Sequence, residues 1–259
     1  MKKIIGLTEP SIFTDNCIDL IENYYDAIPL KLSQNKPEDL TYCLEEIRKS
    51  GGGVFLAGGP DLYCGTYNQQ LENGEGLDKF DIRRDKRELF ILDYVAKKDV
   101  PCIAACRGFQ IASIFFGLAN SFIKDISNSQ ITHSPGNSNM KLNQEQGELP
   151  HWVTCFDNYK NSYFKRDWVV SAHHQAVWFS REQYEAGVYE DQNNINVVGI
   201  ADLNITNDKK KKQDIIELFE GKETRIWAAQ YHFESVNMWK FNKNPASLSI
   251  LEKFKQAMQ

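Results

Sequence analysis

Cys106 closes an apolar run, Val100-Pro-Cys-Ile-Ala-Ala, and is followed by Arg107, Gly108, Phe109 and Gln110. A strand that runs into a cysteine and then, past a glycine, into a helix is the layout of a nucleophile elbow. Such a turn lifts the thiol above the carboxyl end of a sheet, beside a helix N-terminus whose dipole favours an anion. The backbone N–H of Arg107 is then free to face a developing oxyanion. A sulfur nucleophile needs a base, and the base needs an orienting group. Among five histidines, His232 follows the apolar run Arg225-Ile-Trp-Ala-Ala-Gln-Tyr231, and Glu234 comes two residues later. At that spacing the carboxylate can hold the imidazole's tautomer and stabilise its charged form. Buried inert thiols and surface His–Glu neighbours are common. It is the strand–Cys–x–Gly–helix context together with a distant His-x-Glu that points to acyl transfer.

The elements that must position these groups can be read from periodicity. Strands are expected at Lys3–Thr8, Ile28–Leu32, Val54–Ala57 and Val100–Ala105, alternating with helices at Thr14–Tyr25, Pro37–Ser50, Asp85–Lys98 and Gly108–Phe116. Leu40, Cys43, Leu44 and Ile47 share one helical face, and Gly51-Gly52-Gly53 ends that helix. Alternating strands and helices joined by short turns imply a parallel sheet covered on both faces. The second half reads as strands at Trp152–Phe156, Trp168–Ser171, Ile195–Leu203, Asp214–Phe219 and Thr224–Tyr231, with a turn at Glu220-Gly221-Lys222. A last helix is expected over Pro245–Met258, with Asn244 as N-cap. Residues 127–149 and 207–212 read as surface loops within one domain spanning 1–259.

Composition narrows the function. The 259 residues carry a net charge of −5, 42% hydrophobic and 25% charged residues, ordinary for a globular chain that can bury a core without staples. The acidic balance argues against nucleic acid or an anionic membrane as partner. No apolar run suits a signal or a membrane span, so the cytoplasm is the expected location. The six cysteines show no CxxC and no regular spacing, so free thiols are expected and a structural zinc is not. His173-His174 on a strand would point to opposite faces, which disfavours a shared metal. Gly58-Gly59 lacks the Gly-Lys-Ser/Thr of a nucleotide loop. Tyr63, Tyr67, Trp178 and Trp239 are candidate pocket walls, with core packing as the default. No cofactor is called for.

Six motifs, in order, together resemble the class I glutamine-amidotransferase-like family, and most nearly its γ-glutamyl-γ-aminobutyrate hydrolase branch of peptidase C26 type. Gly58-Gly59-Pro60-Asp61, with Tyr67 following, resembles the branch's Gly-Gly-x-Asp turn, and Arg84-Asp85-x-x-Glu88 its helix start. Ala105-Cys106-Arg107-Gly108-Phe109-Gln110 is similar to its elbow; Gly117, Asp125 and His133 follow where the family has Gly, Asp and His. Ser171-Ala172-His173-His174-Gln175 and Gln230-Tyr231-His232-Phe233-Glu234 resemble its Ser-x-His-His-Gln and Gln-x-His-Pro-Glu. The resemblance implies an α/β three-layer sandwich, flavodoxin-like, with a central mostly parallel sheet and the site at the carboxyl ends of its strands. It also implies Cys106 as nucleophile, His232 as base and acid, Glu234 as orienter, and the N–H groups of Gly59 and Arg107 as the oxyanion hole. Gln110, Tyr67, Ser171, His173, His174 and Gln175 would meet a small γ-glutamyl substrate.

The pattern is departed from in four places: Ala104 where the elbow usually begins with Gly, Phe233 for Pro, Val170 where Asn often stands, and Leu62-Tyr63-Cys64 rather than the usual Pro after the Gly-Gly-Pro-Asp turn. They leave the triad intact and the amine half of the substrate open. Two rival readings stand beside the hydrolase. One is a glutaminase component that hands ammonia to a synthetase; the other is a binding module that no longer turns over. A homodimer stays open.

Overall fold

The computed structural model describes residues 2–9, 14–70, 80–123, 149–156, 163–171, 173, 175–180, 194–201, 213–235, 239–240 and 245–258. The parallel half holds β1 (Ile4–Leu7), β2 (Ile28–Lys31), β3 (Gly53–Leu56) and β4 (Cys102–Ala105), in the order β2-β1-β3-β4. It continues through β11 (Ile226–Ala229), parallel to β4, with Ala229 opposite Ala105. Beyond β11 the sheet turns antiparallel through β10 (Gln213–Gly221), β9 (Ile195–Ala201), β6 (Leu149–Phe156) and β7 (Tyr163–Ser171). This is the mixed α/β sheet expected from the sequence.

Strand alternation sorts the side chains into two cores. Val54 and Leu56 of β3 and Cys102 and Ala104 of β4 face one side. There they meet α2 (Pro37–Lys49), α3 (Ile82–Lys98) and α4 (Arg107–Phe115) through Leu44, Ile47, Ile91, Leu92 and Phe109. Phe55, Ile103 and Ala105 face the other side. They pack with Cys17 of α1 (Thr14–Asp19) and with Leu251 and Phe254 of α5 (Pro245–Ala257). Helices on both faces of one sheet make three layers. Strands this thoroughly buried read as continuous apolar runs, which is why they were legible.

Several elements differ from the sequence expectation. The Thr14–Tyr25 helix is α only to Asp19; Leu20–Tyr24 widens to a π turn, and Ala27 N donates to Ile21 O. The helix expected from Asp85 begins at Ile82, because Asp81 caps it by accepting from Arg84 N at 3.0 Å. Glu220-Gly221-Lys222 is not the hairpin turn: β10 runs through Gly221, paired to Ile195, and the bend falls at 222–225. Two strands, β8 (Ala176–Ser180) and β5 (Phe122–Ile123), stand where the sequence pattern suggests none. Asn244, the loop at 207–212 and all but Leu149 of the loop at 127–149 lie outside the described residues, as do Asp125 and His133. All six cysteines are free thiols.

Strand β10 forks. Its first residues, Gln213–Ile215, pair with β8, and from Ile216 it pairs with β9. Between Ile216 and Leu218 the register shifts, a bulge that re-aims Glu217. β8 also pairs with β5, so the fork carries the start of β8, and Gln175 just before it, off the main sheet.

Candidate active site

Cys106 sits between β4 and α4 with φ 50 and ψ −105. Outside the helical and extended basins, this backbone costs an ordinary residue on the order of 1–3 kcal/mol, and it persists where the surroundings over-determine it. Two bonds do so. Cys106 N donates to Ala229 O at 2.9 Å, and Gln110 N donates to Cys106 O at 3.0 Å, opening α4. The sharp bend is therefore carried by Cys106 itself. Gly108 serves close approach instead: a Cβ there would lie 2.2 Å from Leu56 O. Ala104 stands inside β4, fully buried, two residues before the bend.

His232 lies three residues past the end of β11, the neighbour of β4, and its N donates to Val170 O at 2.9 Å. That contact uses only the backbone of residue 170, so valine serves where the family often has asparagine. His232 Nδ1 lies 2.7 Å from Glu234 Oε1, both side chains fully buried. Trp239 Nε1 donates to Glu234 O at 3.2 Å, and Phe233, in the place of proline, stacks on Phe55 at 5.5 Å. Gly58 lies against the pair: a Cβ there would meet His232 Cε1 at 3.0 Å and Cys106 Cβ at 3.7 Å. Burial alone would hold the imidazole neutral. The charges of Glu234 and the Cys106 sulfur, with the hydrogen bonds to both, outweigh it and raise His232 well above its ordinary 6.5. Cys106 keeps 6% of its surface exposed. The structure thus brings Cys106, His232 and Glu234 together.

Behind them runs a buried ion network. Arg84 Nε donates to Glu88 Oε1 at 2.8 Å; Arg107 donates through Nη1 to Glu88 and through Nη2 to Asp85. Asp85 Oδ2 accepts from Tyr63 N and Thr66 Oγ1, both at 3.0 Å. Burial pushes up both carboxyls; in Asp85 it outweighs Arg107, whereas the two arginines bring Glu88 below its ordinary value.

A second buried polar patch lies one helical turn after Cys106. Gln110 Nε2 donates to Gln175 O at 3.4 Å and to Gln230 Oε1 at 3.5 Å. His173 Nδ1 lies 2.8 Å from Gln175 O; a carbonyl only accepts, so that nitrogen carries a proton. His173 Nε2 then faces Glu217 Oε1 at 3.9 Å, both side chains buried. Gln110, His173 and Gln175 are therefore assembled, with Gln230 and Glu217 added. Sequence reasoning missed the role of Glu217. Its signal was a carboxylate inside the apolar run Ile215-Ile216-Glu217-Leu218-Phe219. Tyr67 is 1% exposed and its ring stacks on Phe122 at 4.4 Å. Ser171 ends β7 opposite Leu149, and His174 lies outside the described residues. Among the described residues, no group of three or more His, Cys, Asp or Glu could hold a metal ion, and no helix is long and apolar enough to cross a membrane.

Solved structures share this fold over nearly the whole chain. One is described as a GMP synthase subunit from Thermoplasma acidophilum (TM-score 0.56, 12% identity, covering 100% of this chain and 94% of that one). Another is a glutamine amidotransferase from Thermotoga maritima (0.54, 14%, 99% and 96%). A third is the glutaminase domain of Trypanosoma brucei CTPS with bound acivicin (0.53, 14%, 99% and 94%). A Schizosaccharomyces pombe protein whose name describes it as a glutamine amidotransferase is 31% identical over 65 residues, a quarter of either chain. The chain thus spans about a quarter of the length of the curated relative it matches. The family model described as peptidase C26 matches residues 8–234, a stretch that runs from the end of β1 to Glu234. With the elbow, the His–Glu pair and the fold agreeing with that match, the chain belongs to the peptidase C26 family.

Proposed function

We propose that this protein is a cysteine hydrolase that cleaves a γ-glutamyl amide through a γ-glutamyl thioester on Cys106. The observation that carries the reading is the strained Cys106 backbone beside an imidazole whose Nδ1 is held by Glu234 at 2.7 Å. Glu234 holds the Nδ1 proton of the imidazolium, and the proton on Nε2 is the one the ring exchanges with sulfur and substrate. The Cys106 thiolate attacks the γ-carbonyl carbon, and the carbonyl oxygen becomes an oxyanion between the N–H groups of Gly59 and Arg107. One such donor contributes roughly 3 kcal/mol to lowering the barrier. The C–N bond breaks as imidazolium gives the amine its proton. Water, deprotonated by His232, then attacks the thioester; the C–S bond breaks and glutamate leaves. Gln110, Gln175 and His173 line the side on which the glutamyl amino and carboxylate groups would lie, and we assign them that contact together with Ser171 and His174.

The test is a panel of γ-glutamyl amides offered to the purified protein, with glutamate and free amine measured in equal amounts as the expected result. Hydrolysis of none of them would remove the substrate class. The fold is shared with an amidotransferase and a glutaminase domain, which favours glutamine itself as the second reading. Glutamine turned over faster than every substituted amide, and only with a synthetase present, would support that reading instead.

The raised His232 value sets a pH dependence. Its proton is kept through neutral pH and lost on the alkaline side, so the alkaline limb of kcat/KM lies above 6.5. A folded value raised this way contributes stability that is complete below 6.5 and disappears as pH climbs through the folded value. Glu234→Gln removes the carboxylate that supports the charge. The limb then moves toward acid, and kcat falls by about 10²-fold or more. A pH–rate profile with its limb unmoved in Glu234→Gln would count against the assignment.

A further inference from the structure

We infer that Arg84 and Glu88 are positioning residues that aim both oxyanion donors, so that one buried ion network sets the geometry of acyl transfer. This rests on the proposed roles of the Gly59 and Arg107 N–H groups. Arg84 Nη2 donates to Ala57 O at 3.0 Å and to Gly58 O at 3.2 Å. The 58–59 peptide is trans, so its C=O and N–H point to opposite sides of the chain. Fixing Gly58 O on the guanidinium therefore fixes the Gly59 N–H in the opposite direction, away from Arg84. Rotation of that peptide is further blocked from the arginine side. A Cβ on Gly59 would lie 2.3 Å from Arg84 Nη1 and 3.0 Å from Arg107 Cδ, so both side chains pack directly against the Gly59 backbone.

The second donor hangs on the same network. Arg107 Nη1 binds the Glu88 oxygen that Arg84 does not use, and Arg107 Nη2 binds Asp85. With its guanidinium tied at both ends and 1% exposed, Arg107 anchors the first residue of α4 and so restrains the direction of its N–H. Thr8 completes the frame: its Oγ1 accepts from Ala57 N at 3.0 Å. Glu88 is thus the joint between the Gly58-Gly59 turn and the elbow, two segments from different strands. Buried ion networks are seldom better stabilisers than apolar residues of the same volume, and their better-attested value is geometric specificity. Neither Arg84 nor Glu88 touches the reacting atoms in this arrangement.

The test separates reactions that need an oxyanion from one that does not. With p-nitrophenyl acetate, the Cys106 thiolate adds to the carbonyl carbon; the oxyanion then collapses and expels p-nitrophenolate. With iodoacetamide, sulfur displaces iodide from carbon and no oxyanion forms. Both rates are read at the Cys106 peptide of the full-length protein by mass spectrometry. In Arg84→Lys, which keeps a positive charge beside Glu88 but not the double contact to the turn, acylation should slow by about 10-fold or more while alkylation stays within about 2-fold of wild type. On a γ-glutamyl amide, the same variant should lose kcat with KM little changed. Glu88→Gln should show the same split. It serves also if Arg84→Lys does not fold. Equal loss in both reactions would mean a merely structural network and overturn the inference, as would no loss in either. A wild type acylated by the ester yet inert toward γ-glutamyl amides would refute the substrate class while this comparison still decides the role of Arg84.

Discussion

Cys106→Ala should lower glutamate release from a γ-glutamyl amide by about 10⁴-fold or more, because the atom that forms the covalent bond is gone and the rest of the site cannot replace it. The fold should survive. Cys106 sits at φ 50 and ψ −105, a strain that alanine shares, so Cys106→Ala should melt close to wild type. Glycine does not share it. Cys106→Gly should be equally inactive and more stable by about 1 kcal/mol, since the elbow's backbone is then unstrained, less the lost packing of a small side chain. Glutamate production and thermal melting on the three proteins decide the matter. An active Cys106→Ala, or a glycine variant markedly less stable than the alanine one, would contradict this view of the elbow.

The largest effect on stability belongs to Arg107→Leu. Arg107 is the joint cation for Glu88 and Asp85, in side chains exposed by 2% or less. Removing one partner of a buried ion pair leaves uncompensated charge and costs roughly 3–5 kcal/mol. For a chain of this size that is a fall in Tm of about 10 °C. The pH dependence should change with it. Glu88 is held below its ordinary 4.5 although burial pushes it up, because Arg107 and Arg84 outweigh burial. Its contribution is present above 4.5 and is lost as pH falls through the folded value. Asp85 runs the other way, raised by burial despite Arg107, and so takes on its proton sooner on acidification. Without Arg107 both carboxyls move up, and Arg107→Leu should lose less stability than wild type as pH falls from neutral to below 4.5. Urea unfolding at two pH values measures this; a leucine variant as stable as wild type at neutral pH would refute it.

The parallel half of the fold was legible because its strands are buried on both faces and its helices carry amphipathic stripes. Pro37 and Gly51 bracket α2, and Phe55 and Leu56 could be assigned to a strand without knowing which core each would join. Cys106 and His232 were legible for a related reason: each follows an apolar strand closely, and strands β4 and β11 turned out to be neighbours. That adjacency is a long-range fact no local pattern contains. The same limit hid β8, whose pairing with the first residues of β10 depends on a fork at Ile215 and Ile216. Asp81 was overlooked as a cap because Asp85, one turn further on, offered a more conspicuous acidic start. Glu217 was overlooked because a strand pattern describes alternation, and a bulge interrupts it. Gly108 reads in the sequence as part of the elbow's layout, and the structure uses its lack of a side chain for close approach to Leu56.

Acyl transfer to one sulfur is the step on which the proposed chemistry stands or falls. Wild-type protein mixed with a γ-glutamyl amide, quenched in acid during turnover and digested, should yield the Cys106 peptide heavier by one glutamyl group. Hydroxylamine added before the quench should remove that mass and release γ-glutamyl hydroxamate. Turnover with the label on any other residue, or with no labelled peptide and no hydroxamate, would contradict the mechanism.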